Sequence, residues 1–122
     1  MSRNRASAKQ AGARFERMAA DYLAYHVDDR IDRRVKTGAN DKGDIAALRV
    51  LQKKVVVECK DYGGVLHPGT WVEEANVERL NDEALLSFVI AKRRGTTDMG
   101  RQFVLMEVDD LIALITGTRP QA

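Results

Sequence analysis

The valine-rich segment 53–60 limits the possible folds of this chain more than any other part of the sequence. It contains the run Val55 to Val57, and β-branched side chains favour strands over helices. Because consecutive side chains on a strand point to opposite faces, this run predicts a strand that is covered on both sides. A chain of 122 residues is large enough for one core, so we expect a single domain, 1–122, with helices on a sheet.

Helical and strand patterns alternate around this strand and predict an α/β fold with a mixed central sheet. The expected order is helix, three strands, helix, two strands and helix, over residues 8–25, 31–36, 44–50, 53–60, 70–85, 86–91, 102–108 and 110–116. The apolar residues expected on the buried faces of the first two helices are Phe15, Met18, Tyr22 and Tyr25, followed by Val77, Leu80 and Ala84.

Capping patterns suggest where the later helices begin and end. Thr70 and Glu73 predict a capping box at the start of the second helix, and Asp109 or Asp110 is expected to cap the last one. Gly117 is expected to end that helix. Trp71, in the first turn of the second helix, is expected either to pack inside the protein or to stack on a nucleic-acid base.

The composition places the chain away from membranes. No apolar run approaches the roughly 18 residues that span a bilayer, and the N-terminus lacks a signal-peptide pattern. We therefore expect no membrane association and a cytoplasmic protein. Cys59 is the single cysteine and is expected to be a buried, reduced thiol.

Charges are distributed unevenly, although the net charge is only +2. Basic residues cluster in 1–17, 30–36 and 92–101, whereas 73–83 is acidic. Residues 1–10 are expected to form a flexible basic arm. Such asymmetry suits a protein that presents one face to a polyanion, and it is equally compatible with solvated surface charge.

The hairpin formed by 44–50 and 53–60 brings two acids and a lysine together. If its connection centres on Leu51, antiparallel pairing sets Asp44 opposite Glu58, roughly 5 Å apart at Cβ. Lys60 shares a strand face with Glu58. Charges that interrupt an apolar hairpin are costly unless they are paired or bound to a cation.

A divalent cation explains this placement well, because Mg²⁺ prefers oxygen ligands. Asp44, Glu58 and the backbone carbonyl of Cys59 are candidate ligands, and Lys60 is placed to position water or to neutralise charge on a phosphate. An Asp44–Lys60 or Glu58–Lys60 ion pair at a strand edge explains the same residues without a metal.

This arrangement resembles the PD-(D/E)xK nuclease superfamily, in which an acid opens the second strand and Glu-x-Lys closes the third. Gly43, rather than proline, precedes Asp44 here. Gly-Asp at this place, the Gly12 to Glu16 spacing and the small size resemble Holliday junction resolvases. The Glu-Cys-Lys at 58–60, Pro-Gly-Thr-Trp at 68–71, Asn-Asp at 81–82 and Lys-Arg-Arg-Gly at 92–95 look like bacteriophage-encoded members of that group.

The resemblance implies a restriction-endonuclease-like core and phosphodiester hydrolysis with Mg²⁺ or Mn²⁺, leaving a 5′-phosphate. It implies that Glu16 assists the metal through water. It also implies a homodimer that resolves four-way DNA junctions in recombination and repair, in the host cytoplasm if the protein is phage-encoded. An alternative within the superfamily is a nuclease for flap, single-stranded or duplex DNA, and another alternative is a non-catalytic DNA-binding module.

Several residues near these elements are candidates for contacting the DNA backbone. Plain turn chemistry and solvated loops explain the same residues without DNA. The candidates are Arg33, Arg34, Lys36, Thr37, Asn40, Lys42, Lys92, Arg93 and Arg94.

Overall fold

The computed structural model describes residues 3–36, 38 and 40–121, and the valine-rich strand lies at its centre. This strand, β4 (Lys53–Lys60), pairs antiparallel with β2 (Ile45–Ala46) and β3 (Arg49–Val50), and parallel with β5 (Leu86–Ala91). Val55, Val56 and Val57 are each at most 2% exposed. The expected doubly covered strand is therefore confirmed.

The described residues form a mixed, open six-stranded sheet with three helices. The main path of the sheet is β1-β2-β4-β5-β6, with β3 paired to β4 beside it. The remaining elements are α1 (Arg5–His26), β1 (Asp32–Arg33), α2 (Pro68–Asn81), a 3₁₀ turn (Met99–Arg101), β6 (Phe103–Leu105) and α3 (Val108–Thr116). None of the described helices combines the length and the apolar character needed to cross a bilayer.

Apolar layers on both sides of the sheet hold the fold together. On one side, residues of α1 and α3, such as Phe15 and Ala113, pack with Val57 and Leu86. On the other side, Trp71 and Ala75 of α2 pack with Val89 and Ala91. Because the crossover β4–α2–β5 joins parallel strands, both strands end at the same edge of the sheet, at Lys60 and Ala91.

The predicted order of elements is confirmed in outline, but the predicted strand 44–50 is divided in two. Ala47 has φ 71°, which interrupts the ladder between β2 and β3. The pairing of Ile45 with Val57 fits the expected register, whereas Arg49 pairs with Lys54, one residue out of that register. The predicted strand 31–36 is reduced to β1, and the predicted strand 102–108 to β6.

Helix α1 differs from its prediction at its start and on its buried face. It begins at Arg5, where the Asn4 side chain accepts a hydrogen bond from the Ser7 backbone, so most of the expected flexible arm is helical. Phe15 is buried with Ala11, Ala19 and Ala20. The other residues expected on the buried face are exposed, namely Met18, Tyr22 and Tyr25. Alanine allows α1 to approach the sheet closely, which larger side chains at those positions would prevent.

Helix α2 also buries a different face from the predicted one. Val77 and Leu80 are 52% and 60% exposed, whereas Trp71, Ala75 and Glu78 are buried. The packing interpretation of Trp71 is therefore confirmed. The expected capping box of Thr70 and Glu73 is wrong, because the helix already begins at Pro68.

The last helix begins two residues earlier than predicted. Its N-cap is Glu107, and Asp110 contributes to a capping box from the third helical position, so neither Asp109 nor Asp110 is the cap. Gly117 ends the helix with φ 81° as expected. Asp110 is buried and bound to Arg119 at 2.7 Å, which explains its position on the inner side of the helix.

Candidate functional site

A cleft of about 730 Å³ opens between α1, the end of β4 and the segment before β2. Its walls contain all four residues that the sequence predicted as catalytic, and the described residues that line it also include further acids and bases. The predicted residues in the walls are Glu16, Asp44, Glu58 and Lys60, together with Cys59 and Lys36. Residues distant in sequence therefore share one concave surface, which is the usual setting for ligand binding.

Asp44 is fixed by contacts on both of its carboxylate oxygens. Oδ2 accepts a hydrogen bond from the backbone N–H of Cys59 at 2.8 Å, and Oδ1 accepts one from Lys36 Nζ. Burial opposes the charge on Lys36, but the bond to Asp44 outweighs this effect and the pKa of Lys36 is raised. Asp44 is thus a 4% exposed, oriented carboxylate with a cationic partner.

Gly43 explains why the chain can deliver Asp44 to this position. Its φ is +95°, and a Cβ added to it would lie 2.9 Å from the carbonyl oxygen of Val57. The Asp44 N–H donates to that same oxygen at 2.8 Å. Glycine is therefore required both by the backbone conformation and by the close approach to β4.

Glu58 lies beside Glu78 of α2 in the interior. The two residues are 5% and 7% exposed, and Oε1 of Glu58 and Oε2 of Glu78 have no hydrogen-bond partner among the described residues. Burial raises the pKa of Glu58 to about 10, helped by the hydrogen bond with Glu78 and the charge of Asp44. Burial also raises the pKa of Glu78 to about 7. Two buried carboxyl groups this close are stabilised either by a proton that one of them retains or by a cation bound between them.

Asp41 brings a third carboxylate to this pair. Ligand oxygens of Asp41, Glu58 and Glu78 all lie within 4.8 Å of one another, a spacing that could hold a metal ion. Asp41 is held in place by its side-chain bond to the Gly43 N–H at 2.9 Å and by Asn81, which donates to its carbonyl at 3.0 Å.

Lys60 reaches the same region from the end of β4. Its Nζ lies 3.8 Å from Glu58 Oε2 and 2.6 Å from Glu74 Oε2. Burial lowers the pKa of Lys60, but the hydrogen bond to Glu74 and the charge of Glu58 raise it by more. The pKa of Lys60 is therefore raised, and Lys60 is a cation. Of the two ion pairs considered from sequence, the contact between Glu58 and Lys60 is present, whereas Asp44 is bound by Lys36.

Glu16 faces the cleft from α1 and is bound by Arg33. Arg33 donates from Nη2 at 3.1 Å and from Nε at 3.3 Å to Oε1 of Glu16. The Glu16 side chain is 15% exposed. A carboxylate in this position can act on a neighbouring group through water, because Oε2 is left outside these two contacts.

Cys59 occupies the opposite face of β4 from Glu58 and Lys60. It is a buried free thiol, as expected, and burial together with the charge of Asp44 raises its pKa. The thiol therefore stays protonated at neutral pH. The backbone of Cys59, rather than its sulfur, is the part that contacts Asp44.

The structure separates the predicted DNA-binding residues into three groups. Arg33 and Lys36 bind the cleft carboxylates, as described above. Arg34 and Lys42 line a second pocket, and Asn40 is exposed. Thr37 lies outside the described residues. The third group follows β5: Lys92 Nζ donates to Thr96 O at 2.5 Å, Arg93 lies 5.0 Å above the Phe103 ring, and Arg94 packs on Gly64.

Sequence reasoning missed Asp41 and Glu78. The signal for Glu78 was present, since Trp71, Ala75 and Glu78 follow one another at steps of four and three on α2, the spacing of a single helix face. A glutamate on the same helix face as a tryptophan and an alanine indicates a buried polar contact. Asp41 had no comparable signal, because its segment is rich in turn-forming residues.

Comparison with known proteins does not identify a relative. No protein-family model matches the chain, and neither curated proteins nor solved structures give a match. The function must therefore be inferred from the chemistry of the cleft.

Proposed function

We propose that this protein is a metal-dependent DNA endonuclease whose active centre is the cleft around Asp44, Glu58 and Lys60. The observation that carries the proposal is the pair of buried carboxylates, Glu58 and Glu78, whose unpartnered oxygens lie next to an oriented aspartate and a cationic lysine. Buried carboxylate oxygens without a hydrogen-bond partner are costly, and a bound cation would offset that cost.

The donor set fits a hard divalent cation, either Mg²⁺ or Mn²⁺. Glu58 and Glu78 supply the unpartnered oxygens, and Asp41 supplies the third nearby carboxylate. Asp44, Glu16 and the Cys59 carbonyl remain further candidates. Such an ion, when bound, would lower the pKa of a coordinated water and polarise a phosphodiester. The set contains no thiolate or imidazole, which softer metals prefer.

The protein's own residues supply orientation and charge. Lys60 would hold its positive charge near the scissile phosphate, where it offsets negative charge that develops during attack by water. Asp44 keeps its orientation because the backbone of β4 donates to it. Glu16 would accept a hydrogen bond from water bound at the α1 side of the cleft.

The substrate we favour is the four-way DNA junction, cut by a homodimer. Two active sites related by a two-fold axis match the symmetry of a junction. The outer face of α3 supports a dimer, because a helix face in contact only with water rarely carries so many apolar side chains. Its exposed apolar residues are Val108, Leu111, Leu114 and Ile115. Cleavage of flap, single-stranded or duplex DNA by the same chemistry is the close alternative.

A non-catalytic DNA-binding module is the alternative from another functional class. One observation favours it: Lys36 and Lys60 already pair with Asp44 and Glu74, so part of the charge in the cleft is neutralised within the protein. The unpartnered oxygens of Glu58 and Glu78 favour the nuclease, because carboxylates give a purely DNA-binding surface no advantage next to phosphates.

Cleavage of labelled DNA tests the proposal. The purified protein is incubated with a mobile four-way junction, a duplex, a flap and a single strand, each with Mg²⁺ or with a chelator. We expect Mg²⁺-dependent, paired symmetrical nicks in the junction, with 5′-phosphate ends. Equal cutting of linear duplex would contradict the junction assignment, and binding without cleavage under all metal conditions would favour the non-catalytic module.

A further inference from the structure

We propose that a second pocket binds a phosphate of the DNA backbone, close to the DNA segment that occupies the cleft. This inference rests on the proposed function. This basic pocket, of about 330 Å³, is lined by Arg34, Lys42, Arg49, Lys54 and Asp82. It lies at the C-terminal end of α2, where Asp82 is the C-cap residue.

The positive charge of the basic pocket is only partly offset within the protein. Among the described residues that line it, four basic side chains surround one carboxylate. Asp82 lies 3.5 Å from Lys54 Nζ and 3.8 Å from Arg34 Nη2, both longer than a good charge-assisted hydrogen bond. A pocket with this excess charge suits an oxyanion.

Arg34, which lines the basic pocket, has a nitrogen donor without a hydrogen-bond partner in the described part of the chain. Its Nε is buried and has no hydrogen-bond partner among the described residues, and its side chain is 24% exposed. A guanidinium presents its N–H groups in a planar fork that matches two phosphate oxygens. A phosphate in the basic pocket would supply the acceptor that Arg34 lacks.

Backbone contacts connect the basic pocket to the catalytic cleft. The Arg34 N–H donates to the Asp44 carbonyl at 2.8 Å, so one residue from each site is joined directly. Lys42 lies between Asp41 and Asp44 in the chain, and Asn81, next to Asp82, donates to the Asp41 carbonyl. One continuous DNA strand could therefore place a phosphate in the basic pocket and another in the cleft.

The charge of the cleft explains why DNA needs this second contact. Among the described residues lining it, five carboxylates stand against three basic side chains. A polyanion gains little from such a surface before a metal is bound. Because phosphate contacts supply most of the non-specific affinity for DNA, the basic pocket is the place where this protein would gain it.

Binding measured without metal tests the inference. Anisotropy of a labelled four-way junction and of a duplex is followed with a chelator present, between about 50 and about 200 mM salt. The variant R49Q/K54Q removes two exposed charges of the pocket rim. We expect it to bind about tenfold more weakly at the lower salt, and its salt slope to be shallower by about 2.

The control variant K53Q/R101Q removes the same charge elsewhere. Lys53 precedes Lys54 but donates to the Gly117 carbonyl, and Arg101 is an exposed residue of the 3₁₀ turn. Equal losses in both variants, or no loss in R49Q/K54Q, would overturn the inference. Thermal unfolding checks that each variant is folded, and the single variants R49Q and K54Q replace the double one if it is not.

A second arm distinguishes DNA from a free ion. Inorganic phosphate is titrated into the labelled protein, and the amide signals of the pocket are followed by nuclear magnetic resonance. If phosphate shifts these signals while DNA affinity is unchanged in R49Q/K54Q, the pocket is an ion site and the inference fails. The binding comparison needs no cleavage, so a protein that binds through the pocket but never cuts DNA would contradict only the proposed function.

Discussion

Glu58 and Glu78 are the carboxyl groups whose acidity the fold changes most. In the unfolded chain a glutamate loses its proton near pH 4.5, whereas in the folded chain the pKa of Glu78 is raised to about 7 and that of Glu58 to about 10. A raised pKa means that the folded state binds protons more tightly than the unfolded state. Its contribution to stability is therefore complete below pH 4.5 and is lost as the pH rises through 7 and towards 10.

The first prediction concerns the pH dependence of stability without metal. We expect the free energy of unfolding in chelator to fall between about pH 5 and about pH 9, because Glu58 and Glu78 must lose protons they hold in the folded chain. Glu78→Gln should weaken this dependence and raise stability at pH 8 by about 1 kcal/mol, since an amide can donate to Glu58. Urea unfolding at several pH values measures it, with exposed Glu73→Gln as control. A wild-type curve identical to that of Glu78→Gln would contradict the prediction.

The second prediction concerns the metal requirement of cleavage. If Glu78 supplies a ligand oxygen, Glu78→Gln should raise the Mg²⁺ concentration for half-maximal cleavage about tenfold, because losing a carboxylate ligand weakens the binding of a hard cation. Cleavage rates across a Mg²⁺ titration measure this effect, with Glu73→Gln again as control. An unchanged Mg²⁺ requirement would place the cation nearer to Asp44 than to Glu78.

Among individual residues, the sequence predicted one half of the cleft better than the other. Asp44, Glu58 and Lys60 line one cleft as expected, because strand alternation puts Glu58 and Lys60 on one face and the pairing of Ile45 with Val57 keeps the expected register next to Asp44. Glu78 joins them through the packing of α2, and Asp41 through the course of an irregular segment. Both depend on tertiary contacts that local patterns do not encode.

Among the elements, the turn before β2 sets the position of Asp44, the proposed catalytic aspartate. We predict that Gly43→Ala lowers the free energy of unfolding by about 2 kcal/mol, because it combines a left-handed φ with a clash against β4. Gly63→Ala is the matched control, since Gly63 has φ +64° but nothing within 4 Å of an added Cβ. Urea unfolding compares the two variants. Equal effects of the two substitutions would mean that the approach to Val57 does not matter.

The helices show why buried faces are harder to predict than helix positions. The sequence patterns placed α1 and α2 correctly to within a few residues, but not their buried faces. The face predicted for α1 followed its large apolar side chains, and the face predicted for α2 followed Val77, Leu80 and Ala84. In α1, alanines form most of the contact with the sheet, and in α2 the buried stripe includes Glu78. Close packing favours small side chains on α1, and the polar site adds an acid to the buried face of α2, so hydrophobicity alone does not predict either face.

For the whole molecule, the α/β class and the order of elements followed from the sequence, because each long strand or helix has its own periodicity. The break at Ala47 did not, since a positive φ at alanine has no residue signature. The proposed restriction-endonuclease-like topology remains a prediction. What the fold contributes to the site is the parallel pair β4–β5 crossed by α2, which brings Glu74 and Glu78 over Lys60 and Glu58.

The proposed dimer gives a prediction about the assembly of the whole molecule. We expect Ile115→Glu on α3 to weaken self-association by about 30-fold, the effect of losing roughly 2 kcal/mol at an apolar interface. Sedimentation velocity over a range of protein concentrations measures the change. Tyr25→Glu, at an exposed position of α1, serves as control. A wild-type protein that stays monomeric, or a dimer unaffected by Ile115→Glu, would contradict this interface.

The central claim, that the cleft cuts DNA with the help of a divalent cation, is tested most directly by single-turnover cleavage with and without Mg²⁺. Asp44→Asn and Lys60→Ala are compared with Asp29→Asn and Lys9→Ala, which change exposed residues. We predict Mg²⁺-dependent cleavage by the wild type and by both controls, and rates about 100-fold to 1,000-fold lower for the two cleft variants. Cleavage that proceeds in chelator, or that survives unchanged in Asp44→Asn and Lys60→Ala, would contradict the claim.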